Sequence, residues 1–88
     1  MELKHNVSKS RYEFYIEGFT PHLEYEIKEN KIYLTHTRVS EELRGQGIAG
    51  KLVSAVLEEL HNSEFKIIPV CDYVKAFIEK HPEWKQRI

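Results

Sequence analysis

The first 39 residues alternate between apolar and polar side chains in three short runs. The apolar positions are, run by run, Tyr12, Phe14 and Ile16; Leu23, Tyr25 and Ile27; and Ile32 and Leu34. A period of two that is rich in aromatic and β-branched residues predicts half-buried β-strands. The turn residues Gly18–Pro21 and Glu29-Asn30 separate the runs, and such short breaks predict hairpins and therefore an antiparallel meander. We expect Leu3–Val7 to add a short edge strand.

The second half of the chain changes its period. Ile48, Leu52, Val56 and Leu60 recur every four residues, which predicts a helix with a broad apolar face that ends near His61–Ser63.

A compact apolar run follows, Phe65–Val70, and it predicts a buried strand whose ladder is interrupted near Pro69. We expect Asp72 to cap a last helix, Tyr73–Lys80, that Pro82 stops. The sequence therefore predicts one α+β domain, residues 1–88: an antiparallel β-meander, a strand–helix–strand unit and a final C-terminal helix.

Composition removes several classes of function. The chain has 88 residues and a net charge of −1, which is the wrong balance for a protein that binds nucleic acid. Cys71 is the only cysteine, so an intrachain disulfide is impossible, and the histidines have no metal-ligand spacing. We find no signal peptide and no stretch of membrane-spanning length. These features favour a cytoplasmic monomer without a metal or a membrane partner.

The segment Arg44–Lys51 carries the strongest chemical signal, and it matches three patterns. Gly45, Gly47 and Gly50 fit the dinucleotide fingerprint G-x-G-x-x-G. Gly45, Gly50 and Lys51 fit most of a P-loop. Arg44, Gly47 and Ala49 fit R-x-x-G-x-A, the pattern of an acyl-CoA loop.

Sequence context separates these alternatives. A dinucleotide fingerprint follows a strand directly, whereas Ser40–Arg44 is polar here. A P-loop needs Ser or Thr after its lysine, and this chain has Leu52. A glycine turn that merely begins a helix stays possible, but clustered glycines weaken the backbone and favour a close approach to a ligand. The unsatisfied N–H groups of a helix N-terminus are a suitable site for phosphate.

A family resemblance rests on these residues. The stretch that ends at Leu52, THTRVSEELRGQGIAGKL, resembles the coenzyme A-binding core of GCN5-related N-acetyltransferases. The order of elements agrees, and Phe77–Pro82 is similar to the last segment of that family. His36, Arg44–Ala49, Cys71 and His81-Pro82 together resemble a compact subfamily of acetyltransferase-like proteins.

The resemblance implies acetyl-CoA as cosubstrate and an amine, including an amine on a protein, as acceptor. The pyrophosphate would lie on the loop, and the pantetheine arm between strands Lys31–Val39 and Phe65–Val70. The residues implied to bind the coenzyme are Thr37, Val39, Arg44, Gly45, Gln46, Gly47, Ile48, Ala49, Gly50 and Lys51.

Two side chains are candidates for the chemistry. His36 leads into the loop and suits a general base, although it could instead pack beside a neighbouring strand. Because His36 lies an even number of residues from Ile32 and Leu34, we expect its side chain to point to the same face of the strand as these apolar neighbours. Cys71 is a candidate acid or nucleophile, and the alternative is a small buried side chain without a chemical role.

The sequence departs from the family in two places. Ile78 stands directly before Glu79-Lys80, where many relatives have a tyrosine that serves as the general acid. The front half has short turns where relatives commonly have two helices. These departures keep two other hypotheses open: a non-catalytic acyl-CoA binding or sensing module, and a protein-interaction domain.

Overall fold

The computed structural model describes residues 1–87, with only the backbone described for the last of them. The regular elements are β1 (Lys4–Asn6), β2 (Arg11–Glu13), β3 (His22–Lys28), β4 (Lys31–Arg38), α1 (Ile48–His61), β5 (Lys66–Pro69) and α2 (Asp72–Lys80). Short 3₁₀ turns occupy Val7–Lys9, Glu41–Leu43 and Pro82–Arg87. The predicted edge strand is present as β1, which pairs with β2.

The five strands form one sheet in the order of the chain, β1-β2-β3-β4-β5. The first four are antiparallel, and β5 runs parallel to β4. Glu29 and Asn30, which join β3 to β4, both have positive φ, 50° and 65°, as a tight two-residue hairpin requires. The predicted α+β architecture is confirmed: a meander, a strand–helix–strand unit and a C-terminal helix.

The core lies between one face of the sheet and the two helices. The sheet contributes alternate residues, among them Tyr12, Leu23 and Leu34. The helix α1 contributes Ile48, Leu52, Val53, Val56, Leu57 and Leu60, and α2 contributes Val74 and Ile78. This packing fixes the N-terminus of α1 against the end of β4, where the glycine segment lies. Ile27, by contrast, is 49% exposed, so the predicted apolar face of β3 is not buried along its whole length.

A β-bulge in β4 decides which side chains face the core. Tyr25 pairs with Leu34, but the preceding Glu24 pairs with His36, so Thr35 is an extra residue without a partner across the ladder. A one-residue shift moves the following side chains to the opposite face. The prediction that His36 points with its apolar neighbours is therefore wrong: His36 lies on the polar face, and Thr37 is on the core side.

The start of α2 also differs from the prediction. Cys71, with extended φ and ψ of −64° and 131°, is the N-cap residue, and Asp72 is already helical. The side chain of Asp72 instead lies 3.9 Å from Lys75 in an exposed pair. The predicted cap at Asp72 is thus wrong by one residue, because β5 ends at Pro69, one residue before the apolar run does, and the helix begins correspondingly earlier.

Two features are absent from the part of the chain that the structure describes. Within residues 1–87, no helix is long and apolar enough to cross a membrane. In the same part of the chain, no three His, Cys, Asp or Glu side chains lie together where they could hold a metal ion.

Candidate functional site

The glycine segment forms a tight connection between β4 and α1. The buried side chain of Leu43 anchors the 3₁₀ turn before it, and the N–H of Arg44 donates to the carbonyl of Glu41 at 3.1 Å. Gly45 and Gly47 then take the left-handed region, with φ of 82° and 72°. Gly47 is the N-cap of α1, so the chain turns sharply and begins the helix at Ile48.

The N-terminus of α1 presents several hydrogen-bond donors. The first helical bond runs from the N–H of Lys51 to the carbonyl of Gly47, at 3.1 Å. The N–H groups of Ile48, Ala49 and Gly50 therefore have no acceptor within the helix. No side chain caps them from Gly47, and the helix dipole adds partial positive charge at this end. The arrangement is suited to bind an anion such as a phosphate group.

A cavity of about 360 Å³ lies against these donors. It is lined by Thr37, Val39, Leu43, Arg44, Gly45, Gly47, Ile48, Ala49, Gly50 and Tyr73. All residues expected to bind the coenzyme are in this lining except Gln46 and Lys51. Gln46 is exposed, and Lys51 lines a neighbouring cavity.

That neighbouring cavity is larger, about 720 Å³, and runs between α1 and α2. It shares Gly47, Gly50 and Tyr73 with the first cavity, so the two cavities adjoin, and we call the larger one, between the helices, the groove. Its far end is lined by Trp84, whose ring lies edge-on to His61 with centroids 6.2 Å apart. The groove therefore follows α1 from its N-terminus towards its C-terminal end, and it suits a long ligand.

Tyr73 belongs to both cavities. A Cβ added at Gly50 would lie 3.5 Å from the Tyr73 hydroxyl, so the tyrosine lies directly over this glycine. Phe77 and His81 stack on each other, with centroids 4.1 Å apart, and also line the groove. The spacing Tyr73, Phe77, His81 is the helical signal that could have identified this wall.

A second feature lies where β4 and β5 separate. Their pairing ends at Leu34 and Pro69, and the carbonyl of Leu34 accepts from the N–H groups of both Val70 and Cys71, at 3.0 and 2.9 Å. Within residues 1–87, no ladder joins the two strands beyond this point. The side chains of Thr37 and Cys71 face each other there, with Oγ1 and Sγ 3.5 Å apart.

The environment of Cys71 favours its thiolate. Burial alone would raise the pKa of the thiol, but the Thr37 hydroxyl and the backbone N–H groups of Val74 and Tyr73 stabilise the negative charge. The balance lowers the pKa of Cys71 below its ordinary value. A half-buried thiol of this kind, at the start of a helix, is more reactive than one in an apolar core.

His36 lies on the other face of the sheet, in a charged cluster around Glu24. The Glu24 carboxylate is 3.2 Å from His22, 3.6 Å from His36 and 3.3 Å from Arg38. Burial works to raise the pKa of Glu24, but His22 and Arg38 outweigh it and lower that pKa. The structure thus brings Thr37 and Cys71 together and places His36 with Glu24 instead.

The two glycines at the start of α1 should respond to alanine in opposite ways. Gly47→Ala should lower the free energy of unfolding by roughly 1 kcal/mol, because a positive φ strains any residue with a Cβ. Gly50→Ala should raise it by up to about 1 kcal/mol, because alanine favours the helix and its Cβ meets only ordinary contacts. Urea denaturation followed by circular dichroism measures both, and equal shifts would contradict the observed backbone geometry.

Comparisons with known proteins agree with this geometry. The family model of GCN5-related N-acetyltransferases matches residues 11–88 of the chain. The NMR solution structure of a GCN5-like protein from Staphylococcus aureus is similar, with a TM-score of 0.74 and 29% sequence identity. That similarity covers 98% of this chain and 85% of the other. The chain belongs to the GCN5-related N-acetyltransferase family.

Proposed function

We propose that residues 1–88 act as one acetyl-CoA-binding domain that transfers the acetyl group to an amine. The observation that carries this proposal is the start of α1, where the N–H groups of Ile48, Ala49 and Gly50 face a cavity. A pyrophosphate group bound there would accept hydrogen bonds from these donors. Family membership supports the same ligand, because acetyl-CoA is the usual cosubstrate of these enzymes.

The shape and charge around the loop fit the rest of the coenzyme. Arg44 lines the smaller cavity and Lys51 the larger one, so a positive side chain stands on each side of the donors. The larger cavity, about 720 Å³, offers room for the nucleotide end of the molecule. The acyl arm would leave the smaller cavity past Val39 and Thr37, towards the opening between β4 and β5.

The chemistry would take place beside Cys71. In direct transfer, the amine nitrogen attacks the thioester carbon, a C–N bond forms, and the C–S bond breaks. The departing thiolate then takes a proton, and a base removes one from the former amine. We assign the acid role to Cys71, whose thiol is beside Thr37 on the core side. We assign the base role to His36, which is 59% exposed on the opposite face of β4 and would take the amine proton from that side of the opening between β4 and β5.

Cys71 could instead carry the acetyl group itself. Its thiolate would attack the thioester, giving acetyl-Cys71 and the free coenzyme thiolate, and an amine would then attack the new thioester. The lowered pKa of Cys71 supports this two-step route, because the thiolate is the reacting form. The two routes differ in whether the protein becomes acetylated when no amine is present.

A binding module without turnover is the second candidate function. Ile78, which stands where many relatives have the catalytic tyrosine, is only 6% exposed and packs in the core. The side chain at that position therefore points away from the groove. In this case the protein would bind acetyl-CoA without transferring its acetyl group.

We expect Cys71→Ala to lower acetyl transfer at least about tenfold while leaving coenzyme A affinity unchanged. The assay incubates the protein with acetyl-CoA and a panel of amines, and measures coenzyme thiol release and the acetylated products. On the two-step route, intact-mass spectrometry without amine should show an acetyl adduct on the wild type that Cys71→Ala lacks, whereas on the direct route it should show none. His36→Gln should slow transfer but keep the adduct. Coenzyme binding with neither product nor adduct would favour the binding module.

A further inference from the structure

A third cavity opens on the polar face of the sheet, beyond the charged cluster. It has a volume of about 420 Å³ and lies between the turn at Gly18–Thr20 and the end of β4. Its lining consists of Gly18, Phe19, Thr20, His22, Arg38, Val39 and Ser40. Val39 also lines the cavity of about 360 Å³ beside the N-terminus of α1, the loop cavity, so the two cavities meet at this residue.

The ionisable side chains that line this cavity are basic. Arg38 and the histidine His22 are the ionisable groups in its lining, which contains neither Asp nor Glu. The nearby carboxylate of Glu24 is already held by Arg38, His22 and His36. This pairing uses one edge of the Arg38 guanidinium and leaves its other N–H groups available to an anion that enters the cavity.

Most N–H groups of the Arg38 guanidinium are not used in hydrogen bonds within the described part of the protein. Its Nε donates to Glu24 Oε2 at 3.3 Å, and the side chain is 61% exposed. The two terminal nitrogens of the guanidinium carry four further N–H groups, and among the described residues they have no hydrogen-bond acceptor. His22 cannot take this role, because its Nδ1 lies 2.9 Å from the Thr20 carbonyl and its Nε2 3.2 Å from Glu24.

We infer that this cavity binds a carboxylate of the acetyl acceptor, and that the acceptor is an amino acid or another small amine that also carries a carboxylate. This inference rests on the proposed acetyl transfer. The planar guanidinium of Arg38 matches a carboxylate in a two-point contact. The acceptor amine would then reach the opening between β4 and β5 from the polar face, with His36 on that near side and Thr37 and Cys71 on the core side.

The test uses ω-amino acids of increasing length, from glycine to 6-aminohexanoate, beside alkylamines of matching length. Each is titrated into ¹⁵N-labelled protein with coenzyme A present, and the amide signals of Gly18, Thr20 and Val39 are followed by NMR. We expect the amino acids to shift these signals and the alkylamines to shift them at least tenfold more weakly. One chain length should be acetylated fastest, because the distance from Arg38 to the acetyl group is fixed.

Arg38→Gln should weaken binding of the best amino acid about tenfold or more, as loss of a charged hydrogen bond implies. Lys28→Gln is the matched control, because it removes one positive charge from the far end of β3 and should leave binding unchanged. Ser40→Asp, which adds a negative charge to the cavity without touching the Glu24 cluster, should weaken binding as well.

Equal binding of amino acids and alkylamines would overturn the inference. So would an Arg38→Gln variant that is folded and binds as the control does, or the absence of binding by every probe at millimolar concentration. Because binding is followed separately from transfer, a protein that binds coenzyme A and the amino acid without turnover would contradict only the proposed catalysis.

Discussion

Arg44→Glu should abolish measurable binding of coenzyme A while the protein stays folded. Arg44 is exposed, lines the loop cavity, and lies beside the N–H donors of Ile48, Ala49 and Gly50. The substitution removes a charge-assisted bond to the pyrophosphate and places a like charge against it. Together these effects should weaken binding on the order of 100-fold or more. Calorimetric titration with acetyl-CoA, coenzyme A and ATP measures the change.

A matched control distinguishes the local effect of the charge at residue 44 from the effect of the protein's net charge. Lys28→Glu makes the same change in net charge at the far end of the β3–β4 hairpin, away from every residue in the loop cavity. We expect its coenzyme A affinity to stay within about twofold of the wild type in physiological salt, because exposed distant charges are screened. An affinity that Arg44→Glu leaves unchanged would exclude the loop as the pyrophosphate site. Binding of ATP as tight as that of coenzyme A would point to a general phosphate site.

The regular elements were predictable because local patterns dominate them. The alternation up to Leu34 and the four-residue period from Ile48 to Leu60 each reflect burial on one face, and the structure buries most of these positions, with Ile27 exposed near the end of β3. The loop was predictable for a related reason. Its left-handed residue Gly47 and the donors that follow depend on a few consecutive residues, so the sequence around Arg44 carries most of the information.

The position of His36 was not predictable by the same means. Simple alternation places it with Ile32 and Leu34, but one extra residue at Thr35 reverses the parity. A bulge depends on pairing with β3, which a pattern along one strand does not contain. The same bulge puts Thr37 within 3.5 Å of Cys71, so the contact that supports the thiolate also arises from pairing between distant segments.

The position of Tyr73 in the groove depends on how the two helices pack, which the sequence pattern does not contain. A lone aromatic near the start of a helix is compatible with core, rim or site, and its role depends on what lies opposite. Gly50 on α1 has no Cβ, so the Tyr73 hydroxyl can lie close over the helix at this point, and both residues line the groove. Helix packing thus decides that the tyrosine lines the groove, and only the spacing with Phe77 hints at it in the sequence.

Leu52→Ala should have the largest effect on stability. Leu52 is fully buried, at 0% exposure, in the face of α1 that packs on the sheet. Such truncations cost about 2–5 kcal/mol, through lost burial and the cavity that remains. A small domain has a total stability at the low end of about 5–15 kcal/mol, so a measurable fraction of the variant should be unfolded. Urea denaturation followed by circular dichroism measures the change, with the exposed Glu58→Ala on the same helix as a control that should shift by less than about 0.5 kcal/mol.

The loss in Leu52→Ala should be partly recovered by coenzyme A, because a ligand that binds only the folded state stabilises it. A concentration 100 times the dissociation constant adds about 2.7 kcal/mol. The recovery should disappear in the double variant Leu52→Ala, Arg44→Glu, since the packing of α1 and the anion site at its N-terminus are then both impaired. Recovery by coenzyme A in the double variant would show that the coenzyme binds elsewhere. Loss of the recovery in the double variant would show that α1, on which the core is built, also holds coenzyme A.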